Sequence, residues 1–303
     1  MSLLDIRSLQ RSEIETYIRE AIKYRNACTS GEPVPQVSGT VCLLFFETST
    51  RTRASFESAA RKLGLHGSFV APATSSIQKG ESIRDTVVTL DYAGVDCLVI
   101  RHPSPGAPHQ AAEVFDGGVV NAGDGCHEHP TQALADLLTI ISRKGTVEGL
   151  TVAIVGDIVH SRVARSNAWC LTKMGARVRF VGPRTLLPKD CSLLPVETCD
   201  NLAAGLSDAD VVMALRLQRE RMNGYDLGGL AEYTQRFQIN RESLKLAKED
   251  VLVMHPGPIN RGVELDDFAA DSTFSAIHNQ VENGIYVRMA VLANEFDKLR
   301  GDA

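Results

Sequence analysis

The chain has 303 residues, of which 44% are hydrophobic and 23% charged, and its formal net charge is −5. The length exceeds one ordinary domain, and the composition is that of a globular protein. The acidic balance gives no overall attraction to nucleic acid or anionic lipid, and no apolar run approaches the ~20 residues that cross a bilayer. We therefore expect a soluble protein of two domains, with no nucleic-acid or membrane partner.

The cysteines and the first residues bear on the cellular compartment. The seven cysteines are odd in number, scattered, and without a C-x-x-C motif, which is typical of a reducing environment rather than a disulfide framework. Charged residues such as Asp5 and Arg7 interrupt residues 1–20, so this stretch lacks the apolar segment of a secretory signal. We expect a cytoplasmic protein.

The first half alternates predicted helices and strands. Ser12 and Glu15 have the S-x-x-E spacing of a capping box, and apolar residues at helical spacing then predict a helix over 12–28. The apolar run 41–46 predicts a strand that is buried on both faces. The elements predicted next are helix 53–63, helix 81–93, strand 97–100, helix 108–115, strand 119–122 and helix 131–143.

A short punctuated segment, GTVEG at 145–149, separates a second series of elements from the first. This series comprises strand 151–155, helix 161–174, strand 177–181, strands 211–215 and 251–254, and a helix from 284 to 299. Such alternation predicts an α/β fold of two domains, each a parallel sheet flanked by helices. We place the domains at 1–145 and 146–285, and expect residues 286–303 to form a helix that packs back on the first domain.

The segment Ser49-Thr50-Arg51-Thr52-Arg53 follows the first predicted strand, at the sheet edge where parallel α/β proteins bind ligands. Free backbone N–H groups at a helix start, hydroxyl groups and Arg51 could converge there on one phosphate. A solvated capping turn accounts for the same residues equally well. The chain lacks the G-x-x-x-x-G-K-[ST] motif, which argues against nucleoside triphosphate hydrolysis.

The segment GDGCHEHPTQ, residues 123–132, follows strand 119–122. Asp124, His127 and His129 could be read as a metal site, but no strict ligand spacing such as H-E-x-x-H is present. We therefore predict no metal. His129 and Gln132 are better interpreted as hydrogen-bond partners for a carbonyl or amide group, with a simple helix-capping role for His129 as the alternative.

Three strand ends in the second half carry polar groups. VGDIVHSR, residues 155–162, resembles a dinucleotide-binding turn but lacks the second and third glycines of G-x-G-x-x-G, so its Arg162 is more suited to a carboxylate. Arg216 and Gln218 alternate along another strand end and should face the same way. The turn at 255–258, HPGP, could present backbone carbonyl groups.

The chain resembles the transcarbamoylase family over nearly its whole length, in the segments FFETSTRTR, SSIQKGES, IRHP, GDGCHEHPTQALADL, VGDIVHSRVARS, LRLQRER and MHPGPINRG. The combination of STRTR with HPTQ is typical of the family. LRLQ and MHPGPINRG indicate aspartate as the second substrate, because ornithine-using members usually carry HCLP where this chain has HPGP. Many members have Leu or Ala at the position of Gly257.

The resemblance implies transfer of the carbamoyl group from carbamoyl phosphate to the α-amine of L-aspartate in pyrimidine synthesis, without a cofactor. For carbamoyl phosphate it implies binding by Ser49, Thr50, Arg51, Thr52, Ser75, Lys79, Arg101, His129, Gln132, Gly257 and Pro258. For aspartate it implies Lys79, Arg162, Arg216 and Gln218. The catalytic residues implied are Arg51, Thr52, Lys79, Arg101, His129 and Gln132.

The resemblance also implies a homotrimer with shared active sites, in which the loop of Ser75 and Lys79 reaches the neighbouring subunit. Domain closure would bring the substrates together, and Glu47 would pair with an arginine of the second domain. Association with a regulatory chain or a dihydroorotase is left open. Three other functions compete with this interpretation: carbamoyl transfer to ornithine, an inactive scaffold, and a nicotinamide-dependent oxidoreductase.

Overall fold

The computed structural model describes residues 2–70, 80–218 and 229–301. The chain divides into two compact units, one formed by Met1–Ala135 with Val281–Ala303 and the other by Asp136–Gln280. Both divisions fall inside helices. The limits at residues 145 and 285 belong to the predicted substrate-binding domains, and they stay a prediction.

The first unit is built on four parallel strands, β1 (Thr40–Phe45), β2 (His66–Val70), β3 (Cys97–His102) and β4 (Gly118–Asp124). Their order in the sheet is β2-β1-β3-β4. The helices of this unit are α1 (Arg11–Ser30), α2 (Thr50–Leu63), α3 (Ile83–Tyr92), α4 (Ala107–Ala112) and the first turns of α5 (Pro130–Lys144). Residues of β1, β3 and β4 are almost all buried, as in a parallel sheet covered on both faces.

The second unit is built on five parallel strands, β5 (Thr151–Val155), β6 (Arg177–Val181), β7 (Val196–Cys199), β8 (Val211–Ala214) and β9 (Leu252–Met254), in the order β7-β6-β5-β8-β9. Its helices are the rest of α5, α6 (Arg162–Lys173), α7 (Leu202–Leu206), α8 (Leu230–Phe237), α9 (Arg241–Leu244) and α10 (Asp267–Asp271), with a 3-10 turn at Arg184–Leu186. The prediction of two parallel sheets flanked by helices is confirmed.

Local differences from the sequence-based elements have physical causes. Helix α1 begins at Arg11, and its first turn is closed by the backbone N–H of Gln10, which donates to Glu13 Oε2 at 2.7 Å. The predicted cap at Ser12 is therefore wrong by two residues. Strands β2 and β7 escaped prediction because their residues are mostly exposed or half-buried and form no apolar run.

The last helix, α11 (Ile277–Gly301), starts in the second unit and continues through the first. In the first unit, the hydroxyl of Tyr17 donates to Asn294 Oδ1 at 3.3 Å, and Arg300 Nη2 donates to Ser38 Oγ at 3.1 Å. The predicted return of the C-terminal helix to the first domain is confirmed. Neither α11 nor any other helix in the described ranges combines the length and apolarity that crossing a bilayer requires.

Candidate active site

The turn between β1 and α2 places hydroxyl groups and a guanidinium group at the start of a helix. Ser49 is the N-cap of α2, and Thr50, Arg51 and Thr52 form its first turn. The first N–H groups of a helix have no partner within the helix, and the helix dipole favours an anion there. This geometry suits a phosphate group.

The two arginines of this turn differ in their surroundings. Arg53 donates to Glu57 Oε1 at 2.7 Å and stacks on the ring of Phe69 at 3.5 Å from its centroid. Arg51 is half-buried, and burial lowers the pKa of its guanidinium. Within residues 2–70, 80–218 and 229–301, the side chain of Arg51 makes no hydrogen bond or ion pair. Among the described residues, Arg53 is thus engaged by Glu57 and Phe69, whereas no side chain pairs with Arg51.

Arg101 lies at the end of β3, the strand next to β1, and is held in place on two sides. Its Nε is 3.3 Å from Glu47 Oε2, and its Nη1 donates to the carbonyl oxygen of Ala122 at 3.1 Å. The hypothesis that Glu47 pairs with an arginine of the second domain differs from this arrangement, because here the partner belongs to the same sheet edge. The pair fixes the orientation of the Arg101 guanidinium.

His129 and Gln132 follow β4 at the start of α5. His129 is buried, and its carbonyl oxygen accepts hydrogen bonds from the backbone N–H groups of Gln132 and Ala133 at 3.0 and 3.3 Å. The backbone of His129 thus begins the helix, while its imidazole remains a candidate ligand group. Because β1, β3 and β4 are parallel neighbours, their ends bring Arg51, Arg101 and His129 to one edge of the sheet.

Asp124 organises the loop that precedes His129. Its Oδ1 accepts from Asn121 Nδ2 and the Glu128 backbone N–H, and its Oδ2 accepts from the Gly106 backbone N–H and lies 3.0 Å from His127 Nδ1. Burial by itself raises the pKa of this carboxyl, but the hydrogen bonds outweigh burial and the pKa is lowered. Asp124 therefore has a structural role that its position in the sequence did not indicate.

The second unit brings the ends of β5 and β8 together through Asp157. This buried carboxylate accepts from His160 Nδ1 at 2.8 Å and from the Gln218 backbone N–H at 3.2 Å. The side-chain amide of Gln218 in turn donates to the carbonyl oxygen of His160 at 3.0 Å. Sequence reasoning missed Asp157 and His160, although a buried aspartate just beyond a strand was a usable signal.

The two arginines expected to bind aspartate lie on these same segments. Arg162 is buried and is the first residue of α6, where the N-cap Ser161 accepts from the Ala164 backbone N–H at 3.1 Å. Arg216 is half-buried and lies between buried Leu215 and Leu217, just beyond β8. That Arg216 and Gln218 face the same way stays a prediction.

The turn after β9 is held by His255. This buried residue receives a hydrogen bond at Nδ1 from the Gly257 backbone N–H at 2.8 Å, and its own backbone N–H donates to Gln280 Oε1 at 2.8 Å. Gly257 has a φ of 70°, and the peptide bond that it forms with Pro258 is cis. The role of Gly257 and Pro258 in binding carbamoyl phosphate stays a prediction, and the predicted residues Ser75 and Lys79 lie outside the described residues.

Models of two family domains match the chain. Residues 1–142 match the carbamoyl-P binding domain of aspartate/ornithine carbamoyltransferase, and residues 148–294 match its Asp/Orn binding domain. The aspartate carbamoyltransferase catalytic subunit of Heliobacterium modesticaldum is 50% identical over 292 residues, which cover 96% of this chain and 94% of the relative. The corresponding subunit of Sorangium cellulosum is 53% identical over 302 residues, with 97% and 94% covered.

Solved structures agree with these matches. Aspartate transcarbamoylase from Trypanosoma cruzi in complex with N-(phosphonacetyl)-L-aspartic acid has a TM-score of 0.88 at 33% identity, with 96% of this chain and 94% of that chain covered. Ornithine carbamoyltransferase from Pyrococcus furiosus has a TM-score of 0.86 at 29% identity, with 96% of each chain covered. The resemblance drawn from the sequence is thereby confirmed, and the chain belongs to the aspartate/ornithine carbamoyltransferase family.

Proposed function

We propose that this protein transfers the carbamoyl group of carbamoyl phosphate to the α-amine of L-aspartate, giving N-carbamoyl-L-aspartate and phosphate for pyrimidine synthesis. The observation that carries the proposal is the half-buried Arg51 at the start of α2, which has no hydrogen-bond or ion-pair partner among the described residues. The relatives named aspartate carbamoyltransferase support the same reaction. So does the Trypanosoma cruzi structure in complex with carbamoyl phosphate and aspartate.

The first unit supplies the groups for carbamoyl phosphate. The backbone N–H groups of α2, with Ser49, Thr50, Arg51 and Thr52, bind the phosphate, because a helix start with hydroxyl and guanidinium donors matches its oxygens. By family resemblance, the binding set also includes Ser75, Lys79, Gly257 and Pro258, together with Arg101, His129 and Gln132. No cofactor and no metal take part in the transfer.

The carbonyl oxygen of the carbamoyl group accepts hydrogen bonds from Thr52, Arg101 and His129, while Gln132 holds the carbamoyl amide. As the amine of aspartate forms its C–N bond, negative charge develops on the carbonyl oxygen, and the C–O bond to phosphate then breaks. Donors that are already oriented stabilise this charge without reorganising. Arg101 is such a donor, because Glu47 and the carbonyl oxygen of Ala122 hold its guanidinium in one orientation.

The second unit supplies the groups for aspartate. Arg162 and Arg216 each pair with one carboxylate, and Gln218 and Lys79 assist. Two guanidinium groups match a dicarboxylate, because each can form a bidentate pair with one carboxylate. Ornithine has a single carboxylate and would leave one guanidinium unpaired, so we expect aspartate to be selected.

The activity is tested by incubating the purified chain with carbamoyl phosphate and either L-aspartate or L-ornithine. We expect carbamoyl-aspartate only, and a loss of about 100-fold or more in Arg51→Ala, as for removal of one donor to a developing oxyanion. Arg53→Ala is the matched control, because Arg53 is engaged by Glu57 and Phe69. Turnover of ornithine would contradict the roles of Arg162 and Arg216. A folded protein without turnover would favour the scaffold function.

The assembly that we propose is a cytoplasmic homotrimer in which Ser75 and Lys79 enter the neighbouring subunit's site. Mixing Arg51→Ala chains with Lys79→Ala chains should then restore part of the activity, because some shared sites receive an intact copy of both residues. Verified subunit exchange without recovery would contradict the sharing. Co-purification with the trimer tests whether a regulatory chain or a dihydroorotase associates with it.

A further inference from the structure

A cluster of two histidines and one aspartate lies in the first unit, apart from the residues assigned to carbamoyl phosphate. It consists of His109 in α4, Asp124 at the end of β4 and His127 in the following turn, and one ligand atom from each lies within 4.8 Å of the others. The two imidazole rings are 5.7 Å apart between centroids. We propose that His109, Asp124 and His127 bind a divalent cation of the zinc class.

His109 is prepared to act as a ligand. Its Nε2 lies 3.1 Å from Asp5 Oδ2, whereas its Nδ1 is buried and makes no hydrogen bond within the described residues. A carboxylate at one ring nitrogen places the proton there and leaves a lone pair on the other nitrogen. Metal-binding histidines almost always donate their other ring N–H to a carboxylate, a backbone carbonyl or water, and Asp5 supplies the carboxylate here.

Asp124 supplies the negative charge. Its carboxylate accepts hydrogen bonds from Asn121 Nδ2 and from the backbone N–H groups of Gly106 and Glu128, which hold it beside the two imidazoles.

The distances need only a small contraction. Zinc lies about 2.0–2.2 Å from nitrogen and oxygen ligands in a tetrahedral site, which puts neighbouring ligand atoms roughly 3.3 Å apart. The 3.0 Å between His127 Nδ1 and Asp124 Oδ2 already approximates this spacing, and the ion would replace the proton that the two atoms now share. The ligand atom of His109 lies within 4.8 Å of the other two, so it must approach them by at most about 1.5 Å to reach this spacing.

The donor set selects the class of metal. Two imidazoles and one carboxylate suit zinc, cobalt or nickel, whereas magnesium and calcium prefer oxygen ligands alone. The side chains of His109 and His127 are 38% and 33% exposed, so part of each imidazole lies at the protein surface. The sequence spacing concealed this site, because His109 comes from a different element than Asp124 and His127.

The test is a Zn²⁺ titration of the full chain by calorimetry, after chelator treatment and in a phosphate-free buffer. We expect one ion per chain, binding at least about 10-fold weaker in His109→Gln and in His127→Gln, and binding about 10–100-fold weaker in Asp5→Asn. His278→Gln is the control, because it removes an exposed histidine of the second unit. No binding to the unaltered chain, or unchanged affinity in His109→Gln, would overturn the proposal.

The free cysteines are competing ligands for zinc, and a second measurement separates them from the cluster. X-ray absorption of the Zn²⁺-loaded, unaltered chain should show two imidazole ligands with oxygen neighbours. Sulfur in the first coordination shell would overturn the proposal. This measurement does not depend on the folding of any variant or on enzymatic activity, so the outcome is separate from that of the proposed carbamoyl transfer.

Discussion

The same five-residue pattern, G-D-x-x-H, occurs at the end of a strand in each unit, at residues 123–127 and 156–160. In both copies the glycine has a positive φ, 113° for Gly123 and 131° for Gly156, which favours glycine over residues with a side chain. In both, the aspartate is buried, and the histidine three residues later places Nδ1 at 3.0 or 2.8 Å from it. The local sequence therefore produces the same aspartate–histidine pair twice.

The two pairs differ in what the neighbouring segments bring to them. Asp124 receives the Gly106 backbone N–H from the connection after β3, and the next helix adds the second imidazole, His109. Asp157 instead receives the Gln218 backbone N–H from the connection after β8. One pair thus belongs to the proposed cation site, and the other joins the segments after β5 and β8 that we propose to bind aspartate. The difference shows that partners distant in sequence decide the role of a local pattern.

The largest effect should come from removing the aspartate with more donors. Asp124→Ala leaves the groups that bond Asp124 without an acceptor inside the protein, so we expect a loss of about 3–5 kcal/mol in the free energy of unfolding. Metal-free protein is unfolded with urea, and hydrogen exchange distinguishes the two units. The exposed Asp116→Ala should change stability by less than about 0.5 kcal/mol. A loss below about 1 kcal/mol in Asp124→Ala would contradict the role of Asp124 in holding the loop that precedes His129.

A buried carboxylate that accepts fewer hydrogen bonds, Glu295, should make the free energy of unfolding fall as the pH rises. Glu295 Oε2 is buried without a hydrogen bond within the described residues, and burial raises the pKa of Glu295 to about 7 from 4.5. The native state then holds a proton that the unfolded state has lost. This contribution is fully present below pH 4.5 and is lost as the pH rises through about 7.

Glu295→Gln should remove that pH dependence. Relative to the unaltered chain, we expect the variant to gain roughly 2–3 kcal/mol of stability between pH 5 and pH 8. Urea unfolding at several pH values measures the difference, with the exposed Glu113→Gln as the control. Parallel pH profiles for Glu295→Gln and the unaltered chain would show that Glu295 is ionised in the native state.

A smaller effect should follow from weakening the hydrogen bonds of Asp157 in the second unit. In Asp157→Asn, the amide group cannot accept from both His160 and Gln218, so the segment that carries Arg216 is held less firmly. We expect the KM for aspartate to rise on the order of 10-fold, which corresponds to one hydrogen bond. The KM for carbamoyl phosphate should change little, and the exposed Glu249→Gln should change neither constant. Equal changes in both constants would mean that Asp157 acts on the whole fold.

The smallest effect, on Zn²⁺ affinity, should come from changing His160, the histidine of the pair in the second unit. His160→Gln disrupts the Asp157–His160 pair, which is not part of the proposed metal cluster. Because no metal ligand is lost, Zn²⁺ affinity should stay within about 2-fold of that of the unaltered chain. Calorimetry checks this beside His127→Gln. If His160→Gln weakened Zn²⁺ binding as much as His127→Gln does, the five-residue pattern itself would bind the ion.

Sequence reasoning identified the parts whose signal is local. Buried strands such as β1 and β5 are continuous apolar runs, and Arg51, Arg101 and His129 follow strand ends, so their common edge could be inferred. Strand β2 lacked such a run and was missed. The pairing of Glu47 with Arg101 and the approach of His109 to Asp124 depend on contacts between separate elements, which no short window of sequence contains.

Helix α11 imposes an order on biosynthesis. Residues 281–301 fill the core of the first unit with Val287, Leu292 and Phe296, yet the ribosome adds them only after the whole second unit. The Phe296 ring occupies the space beside Gly39, at the start of β1. The apolar surface of the first unit that these residues cover therefore stays exposed until residues 281–301 have been synthesised. The second unit is contiguous in sequence and can fold earlier, although it emerges later.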